Sequence, residues 1–141
     1  MSDINIGAIT ETLNDKLDRD LRNVDTTTGA DVVIDYQEPT AENGYTWYRK
    51  YKSGWVEQGG IYDNGSLAES FETTITLLVA MLNNMYSSTA TASVDAGNSS
   101  YTAGSTFIFT HSTTQLGVAF WRASSGCKTR YINWQVVGMA A

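Results

Sequence analysis

The hydrophobic period of this chain switches once, and that switch limits what it can fold into. Over residues 3–24 the apolar side chains fall at Ile6, Ile9, Leu13, Leu17, Leu21 and Val24, spacings that average 3.6 residues. Such spacing keeps one narrow stripe on one face of a helix whose other faces are polar. Asp3 or Asn5 is placed to cap its start, and Asp15–Arg19 and Asp18–Arg22 are acid-before-base pairs at i,i+4. A stripe this narrow fits two arrangements: packing on its own domain, or a self-associating bundle. Thr26-Thr27-Thr28-Gly29 ends the segment with β-branched residues and a flexible glycine.

From residue 32 the period is two. Residues 32–36 form an expected strand that Pro39 stops, and residues 44–51 a second, rich in Tyr45, Trp47, Tyr48 and Tyr51. Ser53-Gly54 turns the chain into residues 55–60, and Asp63-Asn64-Gly65-Ser66 signals another turn. The cleanest alternation puts Phe71, Thr73, Ile75, Leu77 and Val79 on one face. Residues 86–94, 106–110, 117–122 and 131–137 complete the series. In the last of these Ile132, Trp134 and Val136 oppose Tyr131, Asn133, Gln135 and Val137. Short strands with turns every eight to twelve residues predict an antiparallel β-sandwich. We therefore expect a mainly β fold with one N-terminal α-helix, divided as a helical stalk over 1–25, neck strands over 26–60 and a sandwich head over 61–141.

Charge follows the same division. The net charge of −6 is −3 over residues 1–25, −5 over 26–72 and +2 over 73–141, where Asp95 is the lone acid and twenty residues are Ser or Thr. An acidic chain lacks the basic footprint of a nucleic-acid binder. A head kept soluble by hydroxyls suits an extracellular or assembled β protein better than a cytosolic helical enzyme. The longest apolar run, residues 77–82, is too short to span a membrane, and the opening Met1-Ser2-Asp3 leads us to expect no secretory signal.

Little in the chain points to catalysis. One cysteine, Cys127, excludes an intrachain disulfide and a cysteine-rich zinc site. Phosphate-cradling and dinucleotide-binding glycine loops are absent, as is a His-Glu-x-x-His motif. The lone histidine, His111, stands beside Ser112, but no third group at a useful spacing completes a nucleophile–base pair. Three copies of His111 on an axis offer the only route to a histidine metal site. We expect no enzyme activity, no cofactor and no metal. A glycosidase pair could come only from acids such as Glu57 with Asp63 or Glu69, which nothing marks beyond their charge. Sugar sites use aromatic faces with planar polar groups, whereas sandwich cores and interfaces use the same aromatics for area. Trp47, Trp55, Trp121 and Trp134 lie within strands, so core or interface is expected for them. Tyr101, in a loop of Asn, Ser and Gly with Asn98, is the better candidate for ligand contact.

Four segments resemble the C-terminal end of bacteriophage tail-fibre proteins. The stretch from Leu13 to Val24, Leu-Asn-Asp-Lys-Leu-Asp-Arg-Asp-Leu-Arg-Asn-Val, resembles the repeated phrases of fibre shafts. Trp55-Val56-Glu57-Gln58-Gly59-Gly60 resembles the Trp-x-Glu-Gln-x-Gly strand that opens the head. Ile75-Thr76-Leu77-Leu78-Val79-Ala80-Met81 with Tyr86 resembles the next strand and its return, departing at Leu78–Met81 where family members often carry proline. Trp134-Gln135-Val136-Val137-Gly138 resembles the closing Trp-x-x-x-Gly strand. The resemblance implies a homotrimer on a trimeric coiled coil that joins the rest of the fibre. It further implies a virion component at the fibre tip, made in the host cytoplasm, that recognises a bacterial surface receptor, often a polysaccharide. On that frame the sandwich presents Asn98, Tyr101, His111 and Lys128 as receptor-binding candidates, with avidity from symmetric display. The alternatives are a structural trimerisation and folding cap, and, more remotely, a glycan-degrading enzyme.

Overall fold

The computed structural model describes residues 31–94, 104–122 and 126–141, and among them no helix occurs. The expected helix and its stripe from Ile6 to Val24 lie outside the described residues, as do Asn98 and Tyr101. Among the described residues eight strands make two sheets: β1 (Val33–Gln37), β2 (Trp47–Tyr51), β3 (Trp55–Ala68), β4 (Ser70–Thr76), β5 (Ser87–Val94), β6 (Gly104–His111), β7 (Gln115–Arg122) and β8 (Thr129–Met139). One sheet has the order β1-β2-β3-β8-β5 and the other β4-β7-β6. Every pairing is antiparallel.

Alternation decides which side chains face inward. Ile132, Trp134 and Val136 of β8 are buried while Tyr131, Asn133 and Gln135 are exposed, as the period-two reading requires. Opposite them lie Ile75 of β4 and Leu116, Val118 and Phe120 of β7, and β3 contributes Val56. The chain crosses between sheets at each of the connections β3–β4, β4–β5, β5–β6 and β7–β8.

Three sequence expectations change. No boundary falls at residue 60: β3 runs through it, and the strands expected as a neck extend the same sheet that β8 and β5 complete. The Asp63–Ser66 turn does not end its strand. Gly65 takes φ +82° and its N–H bonds the Asp63 carboxylate at 2.8 Å, but the result is a break in the β3–β8 register between Asp63 and Ala68. The alternation over residues 71–79 holds, with Ile75 and Leu77 buried, yet β4 ends at Thr76. Beyond it the backbone turns to other partners: Leu77 N–H bonds Thr114 O at 2.9 Å and Met81 N–H bonds Thr113 O at 2.7 Å.

A buried glutamine holds this departing segment. Gln58, on the inner face of β3, is 0% exposed. Its Nε2 donates to Val79 O at 2.8 Å and its Oε1 accepts from Val79 N–H at 3.0 Å. Both backbone groups of a residue outside the ladders are thus paired by one side chain. We expect Gln58→Ala to lower stability by about 3 kcal/mol, from two stranded backbone groups and the space left behind. Urea denaturation measures this; a loss under about 1 kcal/mol would show that Val79 is held by something else.

Candidate functional site

The sequence candidates divide between the two ends of the sandwich. Val94 pairs with Thr129, and a side chain on Gly104 would approach Cys127 Sγ at 3.4 Å. The described strand ends Val94 and Gly104 thus lie at the end where exposed Lys128 lies. His111 closes the other end of β6, seven residues from Gly104, roughly 23 Å away at strand rise. There it is half-buried, stacked on Tyr86 with ring centroids 4.8 Å apart, and its Nε2 is 2.7 Å from Ser88 Oγ. Tyr86 in turn donates from its hydroxyl to Ser112 O at 2.9 Å, and burial pushes its phenol above the usual range. Ser112 is not the partner of His111. Its Oγ accepts the N–H groups of Thr114 and Gln115 at 3.3 and 2.9 Å, which caps the β6–β7 turn. His111 thus bonds across the edge strands β5 and β6 of opposite sheets, and farther along the same edges Ala92 N–H bonds Thr106 Oγ1 at 3.2 Å.

A different feature gathers chemistry on one surface. The outer face of the five-stranded sheet carries a groove of about 470 Å³ lined by residues of β2, β3, β5 and β8 and of the loop before β2. Register builds its floor. Trp47 pairs with Gly59, Gly59 with Gln135, and Gln135 with Thr89, so one rung crosses four strands. The neighbouring rung is Ile61, Asn133 and Thr91. Gly59 is what allows the Trp47 indole to lie against the sheet, since a Cβ there would sit 2.9 Å from Cζ2. Tyr45 and Pro39 complete the wall.

The loop carrying Tyr45 is tightly specified. Asn43 Oδ1 accepts the N–H groups of Thr40 and Thr46 at 3.0 and 3.2 Å, and its Nδ2 donates to Glu38 O at 2.8 Å. Tyr45 N–H closes the turn on Thr40 O at 2.8 Å, and Gln37 Nε2 bonds Thr46 O at 2.8 Å. Within this knot Tyr45 takes φ 57°, the one non-glycine residue with positive φ among the described residues. That conformation disfavours a side chain by roughly 1 kcal/mol, and it persists only where neighbours impose it. Tyr45 is nevertheless 51% exposed, so burial does not explain its position. Residues 44–46, expected as strand, are this turn; β2 begins at Trp47.

Of the four tryptophans, Trp134 is in the core at 5% exposure, Trp47 walls the groove, and Trp55 and Trp121 are exposed. Among the described residues no group of His, Cys, Asp or Glu is arranged to hold a metal ion. The groove residues Asn133 and Gln135 were legible as outward-facing on β8. What placed Trp47 beside them was strand order, which the sequence does not print.

The fold is similar to part of a solved pyocin fibre. The C-terminal part of the R1 pyocin fibre of P. aeruginosa matches with a TM-score of 0.50 and 13% identity, over 66% of this chain and 26% of that one. The corresponding part of the R2 pyocin fibre matches with a TM-score of 0.46 and 16% identity, over 80% and 28%. The chain thus spans about a quarter of those fibre fragments. No protein-family model matches it, and no curated protein matches it in sequence.

Two substitutions separate the groove's wall from its support. Asn43→Ala, which removes three hydrogen bonds, should cost about 2 kcal/mol. Tyr45→Gly should leave stability unchanged or raise it by up to about 1 kcal/mol, because glycine adopts this φ freely. Thermal unfolding of both reads the difference; a clear drop for Tyr45→Gly would mean the ring supports the fold.

Proposed function

We propose that this chain is the receptor-binding head of a bacteriophage-type tail fibre, acting as a homotrimer at the fibre tip by binding a polysaccharide on the host surface without turning it over. The observation that supports this is the sandwich itself, which resembles part of the C-terminal fragment of the R1 pyocin fibre. The tail-fibre resemblance of the Trp55–Gly60 and Trp134–Gly138 segments supports the same reading.

The two outer faces suit such an assembly differently. On the three-stranded sheet Phe107, Phe109 and Trp121 stand outward at 49%, 51% and 50% exposure. This apolar row is the surface we assign to contact between copies, with the residue 6–24 stripe adding a second association element. The five-stranded sheet then faces outward, and the Lys128 end points along the fibre axis. Binding gains strength from three equal sites held at fixed spacing. A cap without a receptor site is the competing role, and the exposed Phe107 row alone would serve it equally well.

Sedimentation equilibrium should give three times the chain mass, and Phe107→Glu with Phe109→Glu should shift it toward monomer while the β signal in circular dichroism persists. A stable wild-type monomer at micromolar concentration removes the trimer. Labelled protein applied to a bacterial strain panel should stain at least one strain, with staining lost after periodate oxidation of glycans and kept after protease treatment. Staining of no strain, or loss to protease alone, overturns the polysaccharide reading.

A further inference from the structure

We propose that the groove on the outer face of the five-stranded sheet is a subsite for a neutral hexopyranose unit, stacked against Tyr45 and Trp47 and hydrogen-bonded by Asn133 and Gln135. The inference deepens the receptor-binding reading and rests on it for the source of the sugar, a polysaccharide on the host surface.

Pyranoses present two kinds of surface. Their C–H faces are apolar and pack on aromatic rings, while hydroxyls around the rim need partners that both donate and accept. The groove offers both. Tyr45 and Trp47 supply ring surface, and the Asn133 and Gln135 amides each carry an acceptor oxygen and donor hydrogens in one plane, one Asn133 donor going to Ser93 Oγ at 3.1 Å. Gln135 lies two strands from Trp47 along one rung, roughly 10 Å across the sheet, with Gly59 between them. The space a Gly59 side chain would take is filled by the Trp47 indole, and Thr89 and Thr91 continue the hydroxyl-bearing floor beyond the amides.

Charge selects among sugars. Among the described residues no Asp, Glu, Lys or Arg lines this groove. A uronic or sialic acid would lose hydration without gaining a counter-charge, so the site favours neutral units. Preorganisation supports a ligand over incidental shape. A tyrosine is held half-exposed in an unfavourable backbone conformation by a network centred on Asn43, at a place where its ring contributes little to the core. Rings fixed before the ligand arrives lose less freedom on binding. Backbone strain of this kind is kept where it aims a side chain.

The test uses the full chain in its assembled state. Saturation-transfer difference NMR is run with methyl glycosides of glucose, galactose, mannose, rhamnose, N-acetylglucosamine and N-acetylgalactosamine, and with methyl glucuronide as the charged control. At least one neutral glycoside should receive saturation, strongest on its C–H face, and the glucuronide should not. Trp47→Ala and Tyr45→Gly should each weaken that ligand at least ten-fold, and Asn133→Ala several-fold, while Glu72→Gln on the opposite sheet leaves it unchanged. Tyr45→Gly keeps the result interpretable if Trp47→Ala disturbs the fold. Binding of no neutral glycoside, equal binding of the glucuronide, or unweakened binding by Tyr45→Gly overturns the proposal. So does a fall in assembled mass for Tyr45→Gly, which would make the groove a contact between copies. Cell staining separates the two readings. If the wild type stains cells and the Tyr45 and Trp47 variants stain equally, the groove fails and receptor binding stands. If glycosides bind the groove but no strain is stained, the reverse holds.

Discussion

The pair of hydrogen bonds between Gln58 and Val79 sets how this sandwich closes. Gln58 points inward from β3, while Val79 belongs to a segment that has already left β4. Removing Gln58 would leave the N–H and C=O of Val79 without these partners in the middle of that segment. With Gln58 in place, that segment also bonds the β6–β7 turn through Leu77 and Met81 and the end of β8 through Leu82 N–H to Met139 O at 2.8 Å. Leu77 and Met81 are thereby brought into the core. Gly138 is part of the same closure, since a Cβ there would sit 2.9 Å from both Met81 Cε and Tyr86 Cβ. A buried amide satisfied on both its polar atoms adds specificity at small net stability, whereas a half-satisfied one is costly. This accounts for a glutamine in a largely apolar interior.

Those contacts also explain why two short motifs could be read from sequence. In Trp55–Gly60 the glutamine is the clamp, and Gly59 and Gly60 are places where a side chain would strike Trp47, Thr46 and Trp134. In Trp134–Gly138 the tryptophan fills the core and the glycine admits Met81 and Tyr86. Alternation over residues 71–79 and 131–137 named the buried faces because one face of each strand meets the core and the other meets water. The charge division was legible as numbers but not as structure. Arg122 and Arg130 from the charge-poor half pair with Glu69 at 2.6 Å and Asp63 at 2.6 Å from the acidic half. The Arg130 guanidinium holds the Asp63 carboxyl below its ordinary range. Both pairs are partly exposed and contribute little to stability, so what they chiefly do is neutralise the sheet ends.

The groove was not legible, for identifiable reasons. Residues 44–46 adjoin an aromatic-rich strand, and composition extends that strand backwards over them. The turn is decided instead by Asn43, whose side chain satisfies three backbone groups, and by a left-handed Tyr45 that no propensity scale favours. The floor joins β2, β3, β8 and β5, a strand order in which β8 sits between two strands far from it in sequence. Period two says that Asn133 and Gln135 face away from the core; it is silent on which aromatic stands beside them. His111 was legible as a strand-end residue, while its bond to Ser88 depended on β5 and β6 lying at facing edges.

A neutral groove imposes a constraint of its own on the proposed role. Without charge it gains nothing from electrostatic steering, and a single stacked sugar with a few amide hydrogen bonds binds weakly. Two physical means remain for making such contacts useful. One lowers the cost of each contact by fixing the aromatic wall in advance, which is the effect of the Asn43 network on Tyr45. The other repeats the contact at fixed geometry, so that a second binding event becomes intramolecular. A repeating polysaccharide and a symmetric head satisfy the second condition together, because both present equal units at set spacings. On this argument the exposed apolar row of Phe107, Phe109 and Trp121 and the polar groove on the opposite sheet serve one end. In the proposed assembly the first would hold the copies in register, and the second would convert that register into retention on the surface.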